Sequence, residues 1–310
     1  MSETAQEIVA QETEGEETEA VLGRLVVQPQ FFETLQQMAV FASGDYNRPV
    51  LCSILVECVD NEMTMISTDT YRMMVRKIKV DSHHFSGLLE MDFTGSFLLD
   101  TTWLKKELPK IIKEQGGKKA WNRLYRIPLE IVRNNAGCTV LYMGHERNYE
   151  IPTIEGQFGN WKNIIKPVSD ATSKLECGKQ MSEALEWMSG IAALDNNRIA
   201  ICAHPIQPHV KINYSEVSGG NVAAEHTIGG ELSGEAFKIG FNCQYLIDFF
   251  NQFGFGCPTL HWFGYSWTAP FKRGAFSQEL SAAPKVACFT SGEDVQYWIM
   301  PMCLTGEAHY

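Results

Sequence analysis

The sequence predicts an α+β protein built from two similar units. Three observations carry this. The chain has 310 residues, 45% of them hydrophobic, which is more than most single cores hold. The order helix, strands, helix, strands occurs twice along it. The strand-like runs follow one another without alternating helices, the pattern of antiparallel sheets and not of a doubly wound one.

Each unit opens on an amphipathic helix. Phe31, Leu35, Met38 and Ala42 recur at helical spacing, and Met181, Leu185, Met188 and Ala192 repeat them. Strands follow at Leu51–Glu57 and Met63–Ser67 in the first unit, and at Arg198–Ala203 and His209–Tyr214 in the second. A second helix starts after Phe97–Leu99 in one unit and after Phe237–Gly240 in the other, with Asp100 and Asn242 as N-caps. Further strands are expected at Cys138–Tyr142, Thr259–Gly264, Lys285–Thr290 and Gln296–Met300. The polar stretch 166–173 reads as a linker. The units are therefore placed at 23–168 and 174–306, after an acidic disordered tail at 1–22.

The formal net charge of -11 is unevenly spread. The tail holds seven glutamates and no Lys or Arg; residues 23–168 carry 18 basic against 16 acidic side chains, and residues 169–310 carry 8 against 14. No apolar run is long enough to span a membrane, and the polar, acidic N-terminal residues, with no basic or apolar region, do not read as a secretory signal. Nine scattered cysteines show no C-x-x-C and no zinc spacing; most lie in apolar strand-like runs and read as small buried hydrophobes, in a reducing cytoplasm.

An enzyme is the natural rival, and its signatures are absent. The sequence has no G-x-S-x-G, no H-E-x-x-H and no P-loop, and Gly254-Phe255-Gly256 does not complete a dinucleotide fingerprint. His83-His84, and His204 with His209, read as loop histidines and not as metal ligands. Asp69 has no second carboxylate nearby in sequence. No catalytic residue, metal site or cofactor is expected.

Two segments are more specific. Asn47–Glu57 runs on to Ser67-Thr68-Asp69-Thr70-Tyr71-Arg72-Met73-Met74-Val75, and Gln296–Leu304 contains Trp298-Ile299-Met300-Pro301-Met302. Together they resemble the bacterial DNA polymerase III beta subunit, the sliding clamp: the T-D-G-H-R-L-A-V-like strand end of its middle domain and the V-M-P-M-R-L-like closing strand of its last. Glu155–Trp161 is similar to the family's G-x-F-P-D-Y run, and Ile239–Asp248 to its F-N-x-x-Y-L-x-D helix start. The resemblance covers residues 23–304. It implies two repeated clamp-type domains, each of two helices packed on curved antiparallel sheets, where the family has three. It also implies a non-enzymatic processivity factor. Two-domain subunits of that kind would close a trimeric ring only if the head-to-tail rotation closes.

The resemblance further implies a partner-peptide pocket lined by Leu51, Thr68, Thr70, Tyr71, Arg72, Met73, Pro167, Trp298, Met300, Pro301 and Met302. DNA polymerase, a clamp loader or repair proteins would dock there through short linear motifs. Soft methionines and a tryptophan suit an adaptable apolar groove, and Arg72 could orient a peptide's polar groups. Thr70 stands where the family has Gly, Tyr71 where it has His, Trp298 where it has a small aliphatic and Cys303 where it has Arg. A narrowed cleft with weak or selective peptide binding is expected.

A helix over residues 103–115 would set Leu104, Leu108 and Ile111 against Lys106, Lys110 and Lys113, with Pro109 weakening or restarting it. Lys105, Lys118, Lys119 and Arg123 extend this face toward double-stranded DNA, and the resemblance implies that Arg48, before its strand, also lies near the DNA. The other three helices show mostly Gln, Glu and Asn, so only weak, salt-sensitive DNA contact is expected. The alternative reading is a clamp-derived regulator or decoy that binds clamp partners without forming a ring.

Overall fold

A computed structural model of the chain describes residues 20–80, 87–134, 137–144, 147–194, 196–215, 222–254, 257–267, 282–284 and 286–302. Glutamates 3–19, His83, His84 and Cys303 lie outside the described residues.

The first unit runs β1 (Ala20–Val27), α1 (Pro29–Ala39), β2 (Ser53–Val59), β3 (Glu62–Thr68), β4 (Arg72–Lys79), β5 (Leu88–Asp92), β6 (Gly95–Asp100), α2 (Thr101–Lys106), α3 (Leu108–Glu114), α4 (Lys118–Trp121), β7 (Ile127–Asn134), β8 (Gly137–Met143) and β9 (Asn148–Pro152). The second runs β10 (Ser173–Cys177), α5 (Gln180–Ala192), β11 (Arg198–Ala203), β12 (His209–Ser215), β13 (Val222–Gly234), β14 (Phe237–Asn242), α6 (Cys243–Phe253), β15 (Thr259–Trp262), β16 (Tyr265–Trp267), β17 (Ala282–Pro284), β18 (Ala287–Ser291) and β19 (Val295–Ile299). The fold is α+β, with antiparallel strand pairs throughout.

The expected helices form for the expected reasons. Asp100 caps α2 by accepting the Thr102 amide at 2.7 Å, and Asn242 caps α6 by accepting the Gln244 amide at 3.0 Å. The single helix expected over 103–115 is two, because Pro109 cannot donate into the preceding turn. The chain restarts at Leu108 with the proline in its first turn, where no donor is needed.

Three boundaries differ from the sequence reading. Ala20–Leu22 belong to β1, paired with β7, and not to a tail. Leu51 and Cys52 lie in a 3₁₀ turn opened by Pro49, so the strand starts at Ser53. Ser173, placed in the linker, pairs with Gly234 and Trp262 and opens β10.

Sheet order makes the repeat concrete. Strands β5-β1-β7-β8-β9 form one sheet; β14-β11-β12-β13-β10-β15-β18-β19-β4-β3-β2-β6 form a second, continuous sheet of 12 strands. In the first unit β4 and β5 are separate strands. In the second a single strand, β13, does both jobs: its first half pairs with β12 and its second half with β10. Strand β19 then pairs with β4 and joins the two units edge to edge. One apolar core runs under both units and gathers Phe31, Phe41, Met65, Leu104, Leu185, Phe249 and Phe289. Each such side chain contributes roughly 2–3 kcal/mol. Burial pushes the Cys58 and Cys243 thiols up to about 12, so both behave as inert hydrophobes.

Candidate partner and nucleic-acid interfaces

The junction of β4 with β19 organises the candidate site. Its register sets Met73 opposite Trp298, Met74 opposite Tyr297 and Arg72 opposite Ile299. Alternate residues therefore face opposite sides of one sheet.

On the helix side lies Arg72, only 8% exposed. Its Nε donates to Asp69 Oδ2 at 2.9 Å and its Nη1 to Asp248 Oδ2 at 2.7 Å. The guanidinium stacks over the Tyr245 ring at 4.2 Å, with Phe41 at 5.3 Å. Burial works against its charge, but Tyr297, Asp248 and Asp69 outweigh that and hold its pKa above the usual arginine range. The role given to Arg72 in the sequence reading is thus corrected. Its donors face inward, because Asp248 from α6 completes a clasp between the two units. Asp69 finds its second carboxylate there too, bridged by a cation and not poised for acid–base work. One turn along β4, Arg76 lies 3.6 Å from Asp294 and donates to Gln37 at 3.3 Å.

On the opposite side Met73, Val75, Leu55, Ile66, Leu98, Trp161, Phe263, Cys288 and Trp298 form a second apolar cluster. Trp298 is 1% exposed and stacks on Phe263 at 5.7 Å. Its Nε1 donates to Gln296 at 3.2 Å. Met73 and Trp298 are therefore the floor of this face. Its rim is Tyr71, 60% exposed, and Met300, 59% exposed, tied by the Met300 amide donating to the Tyr71 carbonyl at 2.9 Å. Thr70 and Pro167 are exposed, and Leu51, Thr68, Pro301 and Met302 half-buried. Met302 is held by its amide on the Gly240 carbonyl at 2.8 Å. Thr70 has φ +84, a backbone region suited to the glycine of the family pattern. The turn is held by the Thr70 amide on Thr68 Oγ1 and the Tyr71 amide on Asp69 Oδ1.

Two cavities are lined by none of these eleven residues, although the first is walled by Leu55, Leu98 and Trp161 of the same apolar cluster. One of about 600 Å³ sits between β2, β6 and the segment Thr153–Lys162. Another of about 260 Å³ sits between Trp103, Lys110, Ile111 and Tyr149. Sequence reasoning missed Asp248, Phe263 and Trp161 as neighbours of the junction. The Ile239–Asp248 and Glu155–Trp161 motifs carried a signal for Asp248 and Trp161; nothing local marked Phe263.

The basic residues divide. Lys105, Lys106, Lys113, Lys118, Lys119 and Arg123 are exposed along α2–α4, with Leu104, Leu108 and Ile111 on the buried side. Lys110 is exposed as well but ion-paired to Glu107 at 2.7 Å. Arg48 sits apart, on Asp45 at 2.9 Å. On α6 the exposed positions include Gln244 and Asn251, and on α5 they include Glu183 and Glu186. Among the described residues no group of His, Cys, Asp or Glu could hold a metal ion, and no helix is long and apolar enough to cross a membrane.

Comparison with known proteins places this geometry. Residues 26–87 match the family model of the DNA polymerase III beta subunit, central domain. The beta sliding clamp of Synechocystis is 22% identical over 221 residues, 70% of this chain and 53% of the relative, so the match spans about half of that relative's length. Among solved structures, the DNA polymerase III beta chain of Streptococcus pneumoniae superposes with a TM-score of 0.69 at 15% identity, over 95% of this chain and 68% of that one. A putative beta subunit from Eubacterium rectale gives 0.68 at 14%, over 92% of this chain and 66% of that one. The chain thus has the fold of the DNA polymerase III beta subunit, the sliding clamp, and its residues 26–87 carry the sequence pattern of that family's central domain.

Proposed function

We propose that the chain is a sliding-clamp-type scaffold of DNA replication, non-enzymatic and cytoplasmic. It takes short linear motifs of a polymerase, clamp loader or repair protein on the outer face of the β4–β19 junction. It surrounds double-stranded DNA as a ring of copies, with the helices inward. The observation that carries this is the junction itself. It fuses two repeated units into one 12-stranded sheet, with helices on one side and the exposed Tyr71–Met300 rim over an apolar floor on the other. A rim of this kind offers two large side chains to a peptide.

Because Trp298 fills the floor, a standard clamp-binding peptide should bind weakly. Calorimetry with such a peptide tests this. Met300→Ala should abolish the heat, while Trp298→Val should open the floor and raise affinity about tenfold, the worth of roughly 1.4 kcal/mol. Unchanged binding in both variants would remove the pocket from the proposal. The restriction of the basic face to α2–α4 favours a second reading, a regulator that keeps the pocket without closing on DNA. A molecular mass that stays that of one chain would decide for it.

A further inference from the structure

The first unit carries a run of cations that nothing described in it neutralises. Lys105, Lys106, Lys113, Lys118, Lys119 and Arg123 are exposed along α2–α4, and among the described residues none of them has a carboxylate in ion-pair contact. Lys110, in their midst, is paired to Glu107. The rest of the unit is arranged differently. Arg24, Lys77, Arg126, Arg147 and Lys162 each lie against a glutamate of their own. A face of unpaired like charges repels itself and draws an anion.

The chain itself holds a matching anion. Residues 1–19 contain seven glutamates and no Lys or Arg, and five of those glutamates fall between Glu12 and Glu19. Laid out extended, such a stretch sets a carboxylate about every 5–6 Å. Lys106, Lys110 and Lys113 follow one another at steps of about 5 Å along the α2–α3 line. A DNA strand carries a charge about every 3.4 Å, so the acidic stretch is a weaker line of charge of the same sign. Length and anchorage allow the contact. Residue 19 leads into β1, whose Ala20 pairs with Arg133 at one end of β7. The connection from α4 enters the other end of β7, at Ile127, roughly 20 Å away along the strand. Nineteen residues reach about 65 Å at full stretch. A tether of this kind supplies a local concentration on the order of mM without a second molecule.

We propose that segment 1–19 lies on the cationic face of α2–α4 of its own chain, with Glu12–Glu19 against Lys105, Lys106, Lys113, Lys118 and Lys119, and yields that face only to a stronger polyanion. The segment is then a built-in competitor of duplex DNA. The clamp reading supplies its rival ligand, and the contact within the chain does not depend on that reading. A duplex, with its denser charge, displaces the carboxylates, whereas an anion of lower charge density does not. The segment therefore sets a threshold for what the face accepts.

A water-soluble carbodiimide, which joins a carboxylate to an amine only where they touch, tests the contact on the full chain. Peptide mass mapping should find amides between Glu12–Glu19 and the lysines of α2–α4, with the Glu107–Lys110 pair as internal control. Acidic-segment glutamates joined to none of those lysines, while the control amide forms, would overturn the proposal. So would amides that join only copies of different isotopic label, which would place the segment on a neighbour. The chain carrying Glu12→Gln, Glu14→Gln, Glu16→Gln, Glu17→Gln and Glu19→Gln tests the competition. A segment seated nine-tenths of the time leaves about a tenth of the faces open, so this chain should bind a duplex about tenfold more tightly at low salt. The gap should close toward about 1 M salt, where exposed charges are screened. Equal duplex affinity of the two chains at low salt would overturn the competition. Amides in a chain that binds no duplex in either form would overturn the DNA reading and leave the contact within the chain standing.

Discussion

Thr70 is a β-branched residue at φ +84, a conformation that costs its backbone of the order of 1 kcal/mol. Its neighbours hold it there through Asp69 and Thr68. Thr70→Gly should remove the strain and stabilise the fold by about 1 kcal/mol, read as a higher urea midpoint at unchanged slope. A lower midpoint would show that the turn is not strained. His261 offers a second check. It is buried, within 3.0 Å of Thr290 Oγ1, and burial together with Lys174 holds its pKa below the ordinary 6.5. The unfolded chain then binds the proton more readily, so this contribution is complete above pH 6.5 and is lost as the pH falls below it. His261→Gln should flatten the stability profile on the acid side, and an unchanged profile would assign the acid sensitivity elsewhere. Neither residue was legible as special in the sequence. Thr70 stood out only against the glycine of the family pattern, and His261 has no local signature.

The α2–α3 element shows how far periodicity reaches. The spacing of Leu104, Leu108 and Ile111 identified the buried side, and the lysines fell opposite, as the structure has them. What periodicity could not show is that Glu107, at the break before Pro109, holds Lys110 at 2.7 Å. That ion pair is exposed and worth little, so Lys110 remains available to phosphate. Lys106→Ala, Lys110→Ala and Lys113→Ala together should weaken duplex binding uniformly across sequences. The slope of log affinity against log salt should fall by about 3, while folding is untouched because alanine suits a helix. A slope that does not change would place the DNA elsewhere. The strands were read less well than the helices. β4 and β13 carry mixed apolar and polar runs, and alternation, the only local signal, fails there.

At the scale of the whole molecule, the two units share one sheet and one core, and Arg72 with Asp248 is the ion pair buried across their seam. Asp248→Ala would leave the buried guanidinium with Asp69 as its one carboxylate partner, beside the Val40 carbonyl, and should cost about 3 kcal/mol. Denaturation followed through both units should shift as one transition. Two separate transitions, with the first unit unmoved, would show that the seam does not couple them. The repeat was legible because two helices with the same stripe begin it. The seam was not, because β4 and β19 are remote in sequence and nothing local marks them as partners. That remoteness governs how the molecule is made. Arg72 pairs with Ile299, so during synthesis the apolar flank of β4 waits until its mate leaves the ribosome, an interval of roughly ten to forty seconds at ordinary elongation rates. Throughout it the nascent first unit presents an unpaired strand edge beside Met73 and Val75, the moment in its life when it is most exposed to aggregation and most in need of a chaperone.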